Sequence, residues 1–239
     1  MNKQYLEQAD LLVNPGKTET IEVDGINYRR LCIRTHLLLE GEDLVAAVQH
    51  YAEHHLEEGD ILFVTEKAVA ATQGRAIPLT DIKPSRLARF LARFVYKNPG
   101  GIGLAMPETM EMALRECGRL RILLAAFIAV IGKLLGRRGW FYHIAGSKAR
   151  SIDGPTAYAL PPFNSCVVMG PKDPNRVAKE LSKALNCSVV ITDINDLGGN
   201  ILGKSDAKLA DSLLTRILAD NPLGQGSQQT PLGIIRAIS

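Results

Sequence analysis

The sequence predicts a mixed α/β fold of the α+β class, in which mixed sheets carry flanking helices. Three observations support this prediction. Short β-branched runs alternate with segments of helical period, no internal repeat or low-complexity tract interrupts the alternation, and 46% of the 239 residues are hydrophobic. A chain of this length and composition can bury a core of its own, which excludes a wholly disordered protein.

The first half of the chain supplies a hairpin, a helix and one or two strands. Asp24-Gly25 is a turn dipeptide between two β-type runs and predicts the hairpin. Residues 42–56 have helical period, and residues 60–72 predict a strand or a pair of strands. Helical patterns then dominate residues 85–135, with a break at residues 98–103.

The second half alternates strand and helix more regularly. In chain order the pattern predicts a short strand at residues 166–170, a helix at 173–185, a strand within 187–196, a helix at 206–220 and a last strand at 232–238. Pro and Gly near Asn98 and Gly154 mark the joints between subdomains.

The strand in CSVVITDIND is followed by an unusual group of polar residues. Residues 189–191 predict a buried strand, and the group at its C-terminal end consists of Thr192, Asp193, Asn195 and Asp196. Turn chemistry accounts for such residues, because Asp and Asn bond their own backbone. Alternatively, Asp193 holds a metal or a polar substrate, since α/β sheets bind ligands at the carboxyl ends of strands.

A wholly apolar run at residues 122–132 is too short to span a bilayer and is followed by Lys133. We therefore expect a buried core helix rather than a membrane helix. Basic residues then surround Trp140, Phe141 and Tyr142; they are Lys133, Arg137, Arg138, Lys148 and Arg150. This cluster predicts either a solvated turn or an anion-binding rim.

Composition and missing motifs exclude several classes of function. A net charge of +3 with 5% aromatic residues does not match a dedicated nucleic-acid binder. The four cysteines have no metal-type spacing, which indicates reduced thiols and the cytosol, and the N-terminus resembles no signal peptide. No Walker loop, dinucleotide fingerprint, H-E-x-x-H, G-x-S-x-G or C-x-x-C motif occurs. HHLEE (residues 54–58) is typical of a solvated helix end.

Several segments, taken in order, resemble the coenzyme F-420 gamma-glutamyl ligases. EGDILFVTEKAVAATQGR (residues 58–75) is similar to a signature of that family, and THLLLEGEDL (residues 35–44) is similar to the loop that precedes it. IDG, VVITD and TPLGIIR follow in the family's order, so that the resemblance runs over residues 31–236. It implies an N-terminal extension with the start of the hairpin at residues 1–30. A ligase-like domain at 31–239 follows, within which 78–151 is a helical insertion or subdomain.

The resemblance implies a cytoplasmic, homodimeric, GTP-dependent amide ligase that uses Mg²⁺ or Mn²⁺. Such ligases activate a carboxylate substrate as an acyl phosphate at the expense of GTP or another nucleoside triphosphate, and glutamate or a similar amine then attacks. The expected partners are therefore small molecules, and neither nucleic acid nor a membrane is expected.

The family's site residues can be carried over one by one. Asp153 and Asp193 correspond to metal ligands, and Gln225 occupies what is usually an acidic metal-binding position. The nucleotide-binding positions implied by the resemblance are Thr35, His36, Leu37, Leu38, Glu66, Lys67, Arg75, Thr156, Gly224, Gln225, Gly226, Ser227 and Gln228. For Arg75 an ion pair with a surface acid is the alternative. No catalytic residue is assigned.

Departures from the family pattern leave two hypotheses. Glu66 and Ala71 stand where a serine and a lysine commonly touch the nucleotide, Ile194 replaces a Thr or Ser, and Thr156 replaces an Asn. Loss of the lysine removes a positive charge and a donor from a phosphate site. The retained acid pair favours a divergent ligase, whereas Ala71 favours a non-catalytic nucleotide- or metal-binding module on the same scaffold.

Overall fold

The computed structural model describes residues 11–95, 103–137, 139–157, 159–196, 198–224 and 226–238. The chain divides into two compact units, which we call the sheet unit (Met1–Gly74 with Pro171–Ser239) and the helical unit (Arg75–Gly170). Helices and mixed sheets are both present, which confirms the predicted fold class. The predicted division at residues 30, 78 and 151 stays a prediction.

The helices and strands follow one another in three stretches of chain. The sheet unit begins with β1 (Leu11–Leu12), β2 (Thr20–Val23), β3 (Ile26–Ile33), α1 (Leu44–Ala52), β4 (Ile61–Thr65) and α2 (Glu66–Thr72). The helical unit contains β5 (Ala76–Pro78), α3 (Arg86–Ala92), α4 (Pro107–Cys117), α5 (Arg119–Leu134), α6 (Trp140–Ala145), α7 (Ser147–Arg150) and β6 (Cys166–Val168). The sheet unit resumes with α8 (Pro174–Leu185), β7 (Ser188–Asn195), β8 (Gly198–Lys204), α9 (Asp211–Ile217) and β9 (Leu232–Ile238).

The sheet unit is built on one mixed seven-stranded sheet. The strand order is β1-β3-β9-β4-β7-β8, and β2 pairs with β3 as well. β4 and β7 are parallel, whereas β9 is antiparallel to both β3 and β4. β3, β4 and β7 therefore run in one direction and end at the same edge, where β9 begins.

The hairpin between β2 and β3 is confirmed, with Val23 opposite Ile26. Asp24 and Gly25 have φ values of 54° and 77°. Positive φ at both central residues is the condition of the two-residue turn that matches the twist of the flanking strands, and Asp-Gly meets it readily.

Two apolar layers cover the two faces of this sheet. One layer packs under α1, α2 and α8 and includes Tyr51, Val69 and Leu181. The other packs under α9 and includes Leu214 and Ile217. The predicted helix at residues 42–56 is confirmed as α1, which Asp43 caps by accepting hydrogen bonds from the first backbone N–H groups.

Residues 60–72 do not form a strand pair, because β4 leads directly into α2. The Thr65 side chain accepts a hydrogen bond from the Ala68 N–H at 3.3 Å and so caps the helix. The alanines at positions 68, 70 and 71 favour helix over strand.

The strand expected at residues 189–191 is longer than predicted and continues to Asn195. Thr192 and Asp193 therefore lie inside β7, with Asp193 opposite Asn200 of β8. The sequence pattern did not reveal β8, because it begins with Gly198 and Gly199, and glycine is depleted in strands.

The helix expected at residues 206–220 is shorter, since α9 begins only at Asp211. The Asp206 side chain accepts a hydrogen bond from the Lys208 N–H at 2.9 Å, and the Asp206 carbonyl accepts one from the Leu209 N–H at 3.3 Å. This local bonding forms a turn that competes with the first helical turn.

The helical unit packs α3, α4, α6 and α7 around one apolar cluster that contains Met110 and Val167. The predicted break at residues 98–103 falls almost entirely on residues outside the described ranges.

The helix expected at residues 122–132 is present, but the expectation that it is buried is wrong. These residues lie in α5, which buries Ile122, Ala125 and Gly132 but exposes much of its remaining apolar surface. Within the described ranges no helix is long and apolar enough to cross a membrane.

Candidate functional site

Most of the predicted site residues of the sheet unit lie at one edge of its sheet. Ile33 and Val64 both pair with Leu232, and Thr65 pairs with Thr192, which aligns three strand ends with the start of β9. The Thr35 N–H donates to the Gln229 carbonyl at 3.1 Å. The loop after β3 and the loop before β9 are therefore joined directly, and α2 begins beside them.

The first of these loops is held in place by its own side chains. The Thr35 hydroxyl donates to the His36 carbonyl at 2.7 Å, and Leu38 is buried in the apolar layer under α1 and α2. Leu37 is half-buried. The backbone of residues 35–38 is thus fixed in position. The Thr35 hydroxyl is already hydrogen-bonded within the loop.

His36 lies in a hydrogen-bonded chain with two residues that sequence reasoning missed. Its Nδ1 is 2.8 Å from the Tyr51 hydroxyl, and its Nε2 is 2.7 Å from the Glu42 carboxylate. Glu42 also accepts a hydrogen bond from the Leu39 N–H at 2.9 Å. Tyr51 is fully buried, and the side chains of His36 and Glu42 are 19% and 14% exposed. Both ring nitrogens are bonded within the protein, so this chain fixes the loop.

The first two residues of α2, one acidic and one basic, lie at the same edge of the sheet. Glu66 is the first residue of the helix and is buried, whereas Lys67 is exposed. Ala71, one turn further along, is buried. A carboxyl group therefore occupies the first helical turn, where the family resemblance implies phosphate contacts.

Asp193 lies on the same face of the sheet as α2. Its neighbour Ile194 packs into the apolar layer under α9, and successive side chains of a strand point to opposite faces. Asp193 is half-buried there. Asp196 has a structural role instead, because it pairs with Lys17 at 2.9 Å and accepts a hydrogen bond from Asn221 at 3.3 Å. The hydrogen bond from Lys17 lowers the pKa of Asp196.

The loop before β9 is closely bonded as well. Gly224 has a φ of 75°, and a Cβ at this position would lie 2.8 Å from the Gln228 side chain. The Gly226 N–H donates to Gln228 Oε1 at 2.7 Å, and Ser227 is exposed. Gln225, predicted as both a metal and a nucleotide ligand, lies outside the described residues.

The remaining predicted residues belong to the helical unit. Asp153 and Val168 exchange backbone hydrogen bonds of 2.9 Å, and Val168 also pairs with Ala76. Arg75 and Asp153 therefore flank the same strand. The Arg75 guanidinium pairs with Glu116 at 3.0 Å and donates to the Gly170 carbonyl, which matches the alternative of an ion pair with an acid.

Thr156 and the basic cluster, which also belong to the helical unit, make different contacts. The half-buried Thr156 accepts a hydrogen bond from the Ala159 N–H at 3.1 Å through its carbonyl. Lys148 of the basic cluster lies 3.8 Å from Glu116. Arg138, another member of that cluster, lies outside the described residues.

The two predicted metal ligands are assigned to different units, Asp193 to the sheet unit and Asp153 to the helical unit. Their convergence on one cation stays a prediction. In the described part of the chain no group of three or more His, Cys, Asp or Glu side chains is arranged to hold a metal ion. A cation here would need further oxygen ligands from a substrate or from water.

A groove of about 720 Å³ lies at the opposite edge of the sheet, near the starts of β4 and β7. It is lined in part by Glu53, Glu57, Glu58, Asp60 and Asp206. Asp60 is held there by Arg236, at 2.7 Å. None of the predicted site residues that the structure describes lines this groove. Its acidic wall is unsuited to a triphosphate.

Comparisons with known proteins match the segments at the candidate edge. A family model described as F420-0:Gamma-glutamyl ligase matches residues 32–196, which is more than half of the chain. The coenzyme F420:L-glutamate ligase of Methanopyrus kandleri is 29% identical over 159 residues, 64% of this chain and 54% of the relative. The chain thus spans about half the length of this curated relative. The family match includes residues 35–38, the start of α2 and Asp193, whereas the loop before β9 lies beyond it.

Proposed function

Because this chain belongs to the F420-0:gamma-glutamyl ligase family, we propose that it is a GTP-dependent amide ligase. It activates a carboxylate substrate as an acyl phosphate and joins it to glutamate or another amine. The observation that carries this proposal is the meeting, at one edge of the sheet, of residues 35–38, the start of α2, Asp193 and the loop before β9. These four segments are far apart in sequence.

The proposed reaction consists of two transfers. A carboxylate oxygen of the substrate attacks the γ-phosphorus of the nucleotide, and the bond to the β-phosphate oxygen breaks, so that the nucleoside diphosphate leaves. The amine nitrogen then attacks the acyl carbon, inorganic phosphate leaves with the electron pair of the C–O bond, and the nitrogen loses its proton. Such reactions depend mainly on positioning and on neutralising phosphate charge.

The loops at the candidate edge suit the positioning part of this task. The backbone of residues 35–38 is held by Leu38 in the core and by the bonded His36 ring. The Thr35 and His36 N–H groups already donate to Gln229 and Tyr51, so the main chain of residues 37 and 38 is the part offered to a nucleotide. The second loop is fixed by Gln228, whose side chain packs against Gly224 and accepts a hydrogen bond from the Gly226 N–H. Lys67, an exposed residue in the first turn of α2, adds a positive charge to this part of the sheet unit.

Mg²⁺ or Mn²⁺ fits the donors of this edge in chemical type. Asp193 offers a half-buried carboxylate, and Mg²⁺ commonly takes one or two protein carboxylates together with substrate phosphates and water. Asp153 is the proposed second ligand, and Gln225 is a neutral candidate. When bound, the cation neutralises phosphate charge.

We further propose a cytoplasmic homodimer that takes small-molecule substrates. The resemblance to the ligase family supports this assembly and location. The four cysteines, Cys32, Cys117, Cys166 and Cys187, are all free, which suits a reducing compartment.

One observation favours a second candidate, a non-catalytic nucleotide- or metal-binding module. The buried Glu66 carboxylate occupies the first turn of α2, and Ala71 contributes no charge. A carboxylate near the phosphate path repels it, and no lysine at position 71 offsets that repulsion.

Phosphate release separates the two candidates. The protein is incubated with GTP or ATP, Mg²⁺ or Mn²⁺ and a panel of amino acids and carboxylates, with Asp193→Asn as the test variant and Asp196→Asn as the matched control. Phosphate release that depends on the amine, is lost in Asp193→Asn and persists in Asp196→Asn supports the ligase. Calorimetric binding of nucleotide without phosphate release or amide product supports the module. A folded protein with neither binding nor turnover contradicts both.

A further inference from the structure

The outer face of α5 is apolar although it is exposed to solvent. Six of its residues are between 40% and 84% exposed, and they are Leu120, Leu123, Leu124, Phe127, Val130 and Leu134. Successive helical residues turn by about 100°, so these six lie within an arc of about 120°. The buried Ile122 and Ala125 lie on the other side of the helix, against the rest of the helical unit. We call the six residues the apolar stripe.

The charged residues of α5 and of the segment that follows it have one sign. Residues 117–152 contain no Asp or Glu, whereas they include Arg119, Arg121, Lys133, Arg137, Arg138, Lys148 and Arg150. On the helical wheel, Arg119 and Lys133 lie beyond one edge of the stripe. Arg121 lies beyond the other edge and donates to the Ile144 carbonyl at 2.8 Å, so Arg119 and Lys133 are the flanking cations. Long basic side chains at such positions can keep their charge in a polar layer while the stripe is buried.

The charge difference extends to the whole units. The helical unit carries 14 Lys and Arg against 5 Asp and Glu, a formal net charge of +9, whereas the remainder of the chain carries 14 against 20, a net charge of −6. The overall charge of +3 hides this contrast. A strongly positive unit is attracted to a negatively charged surface over a distance of about a Debye length.

We propose that α5 is an interfacial helix that docks the helical unit on an anionic lipid bilayer. The stripe enters the boundary between headgroups and acyl chains, and the flanking cations contact the headgroups. With 16 residues the helix lies in the plane of the membrane and does not cross it. This inference is independent of the ligase reaction, and it departs from the expectation, based on the family resemblance, of no membrane partner.

The charges disfavour one other occupant of the stripe, and its apolar surface disfavours another. Pairing of two copies through α5 would bring two strongly positive helices together, which costs Coulomb energy. A nucleic acid would satisfy the cations but would leave the leucines and Phe127 of the stripe exposed to water. An anionic bilayer satisfies both the cations and the stripe.

Vesicle binding of the full chain tests the proposal. Cosedimentation compares vesicles of phosphatidylcholine alone with vesicles in which about a third of the lipid is phosphatidylserine. Trp140, the one tryptophan of the chain, lies against Gly132 on the buried side of α5, so an unchanged emission shows that the helical unit stays folded. We expect binding to the anionic vesicles, and weaker binding as salt concentration rises.

Two pairs of variants separate the apolar and the electrostatic contributions. Leu124→Gln with Phe127→Gln removes the centre of the stripe, and its matched control is Ile26→Gln with Ile238→Gln, exposed residues of the sheet unit. Arg119→Gln with Lys133→Gln removes the two cations beyond one edge of the stripe, and its matched control is Lys183→Gln with Lys208→Gln. Each α5 variant should bind anionic vesicles at least about tenfold more weakly than its control.

Three outcomes would overturn the proposal. One is a folded wild-type protein that binds neither kind of vesicle at low salt. Another is a Leu124→Gln, Phe127→Gln variant that binds as tightly as its control, because the stripe would then be irrelevant. The last is occupation of the stripe by another partner. It would appear as a concentration-dependent dimer in sedimentation, or as binding to duplex DNA in place of vesicles, that the stripe variant abolishes.

Discussion

The sheet unit and the helical unit place their charged and apolar groups in opposite ways. In the sheet unit apolar strands are buried between two layers of helices, and even a charged group, Arg30, lies in the interior with bonded partners. In the helical unit the longest apolar run of the chain lies partly on the surface, in α5.

This contrast shows that the same kind of sequence signal has different meanings in the two units. A short apolar run indicated a buried strand correctly for residues 189–191 of β7, which are covered on both faces of the sheet. It failed for α5, because a helix can bury one side and expose the other. Most residues of the proposed ligase site lie in the sheet unit, whereas the proposed membrane contact lies in the helical unit.

The largest effect is expected from the buried charge of the sheet unit. Arg30 donates to the Ile217 carbonyl at 3.0 Å and to the Thr18 carbonyl at 2.5 Å, and it pairs with Asp220. Arg30→Ala should lower the free energy of unfolding by about 3 to 5 kcal/mol, because it empties a fully buried site and leaves two carbonyl groups without their donor. Arg29→Ala, at an exposed pair with Glu19, should cost less than about 1 kcal/mol in denaturant unfolding. Equal losses in the two variants would contradict the buried role.

The two sides of α5 should respond differently to truncation. Ile122→Ala removes a fully buried side chain and should lower the free energy of unfolding by about 2 to 4 kcal/mol. Leu124→Ala on the stripe should change it by no more than about 0.5 kcal/mol. Denaturant titrations of both variants measure this difference. If Leu124→Ala is as damaging as Ile122→Ala, the stripe is covered in solution.

Metal binding tests whether the two units act together. A cation at about 100 times its Kd should raise the free energy of unfolding by about 2.7 kcal/mol, since it binds the folded state alone. Asp153→Ala and Asp193→Ala should each abolish most of the rise in melting temperature caused by Mg²⁺ or Mn²⁺.

Asp196→Ala serves as the control, because Asp196 is engaged by Lys17 and Asn221. A loss confined to Asp193→Ala would assign the cation to the sheet unit alone. An unchanged metal response in both test variants would remove the metal assignment altogether.

The smallest effect is expected from adding the charge that the family pattern places at position 71. Ala71→Lys should tighten the binding of GTP or ATP in the presence of a divalent cation by about fivefold to tenfold, because an ammonium group adds a charge-assisted phosphate contact. Ala71 is buried, so the longer side chain should also lower stability by about 1 kcal/mol. Ala71→Met has similar length without charge, and calorimetric titration should show no gain for it. If the two variants bind the nucleotide with equal affinity, position 71 does not lie near the phosphates.

The sequence was informative wherever local chemistry decides the structure. Asp24-Gly25 specified its turn through its tolerance of positive φ, and β-branched residues specified β4 and β7. The sequence did not predict the elements whose structure depends on a tertiary partner. The pairing of β8 with β7 stabilises a glycine-rich strand that has no local preference of its own.

The candidate site shows the same limit. The family motif located residues 35–38 and Asp193, but the chain from His36 to Glu42 and Tyr51 depends on a helix face and a loop that meet only in the fold. Glu42 in THLLLEGEDL and Tyr51 at helical spacing were visible in the sequence, yet nothing in their spacing specified this contact. The engagement of Arg75 by Glu116 likewise depends on tertiary packing.

Hydrogen exchange with and without GTP and Mg²⁺ tests most directly whether the sheet edge is the nucleotide site. The backbone amides of residues 35–38, the start of α2 and the loop before β9 should exchange more slowly when the nucleotide is bound, because a ligand that binds there stabilises these loops against local opening. The amides of β1 and of the acidic groove at the opposite edge should be unchanged. Protection confined to the opposite edge or to α5, or no protection anywhere in a folded protein at saturating nucleotide, would contradict the assignment.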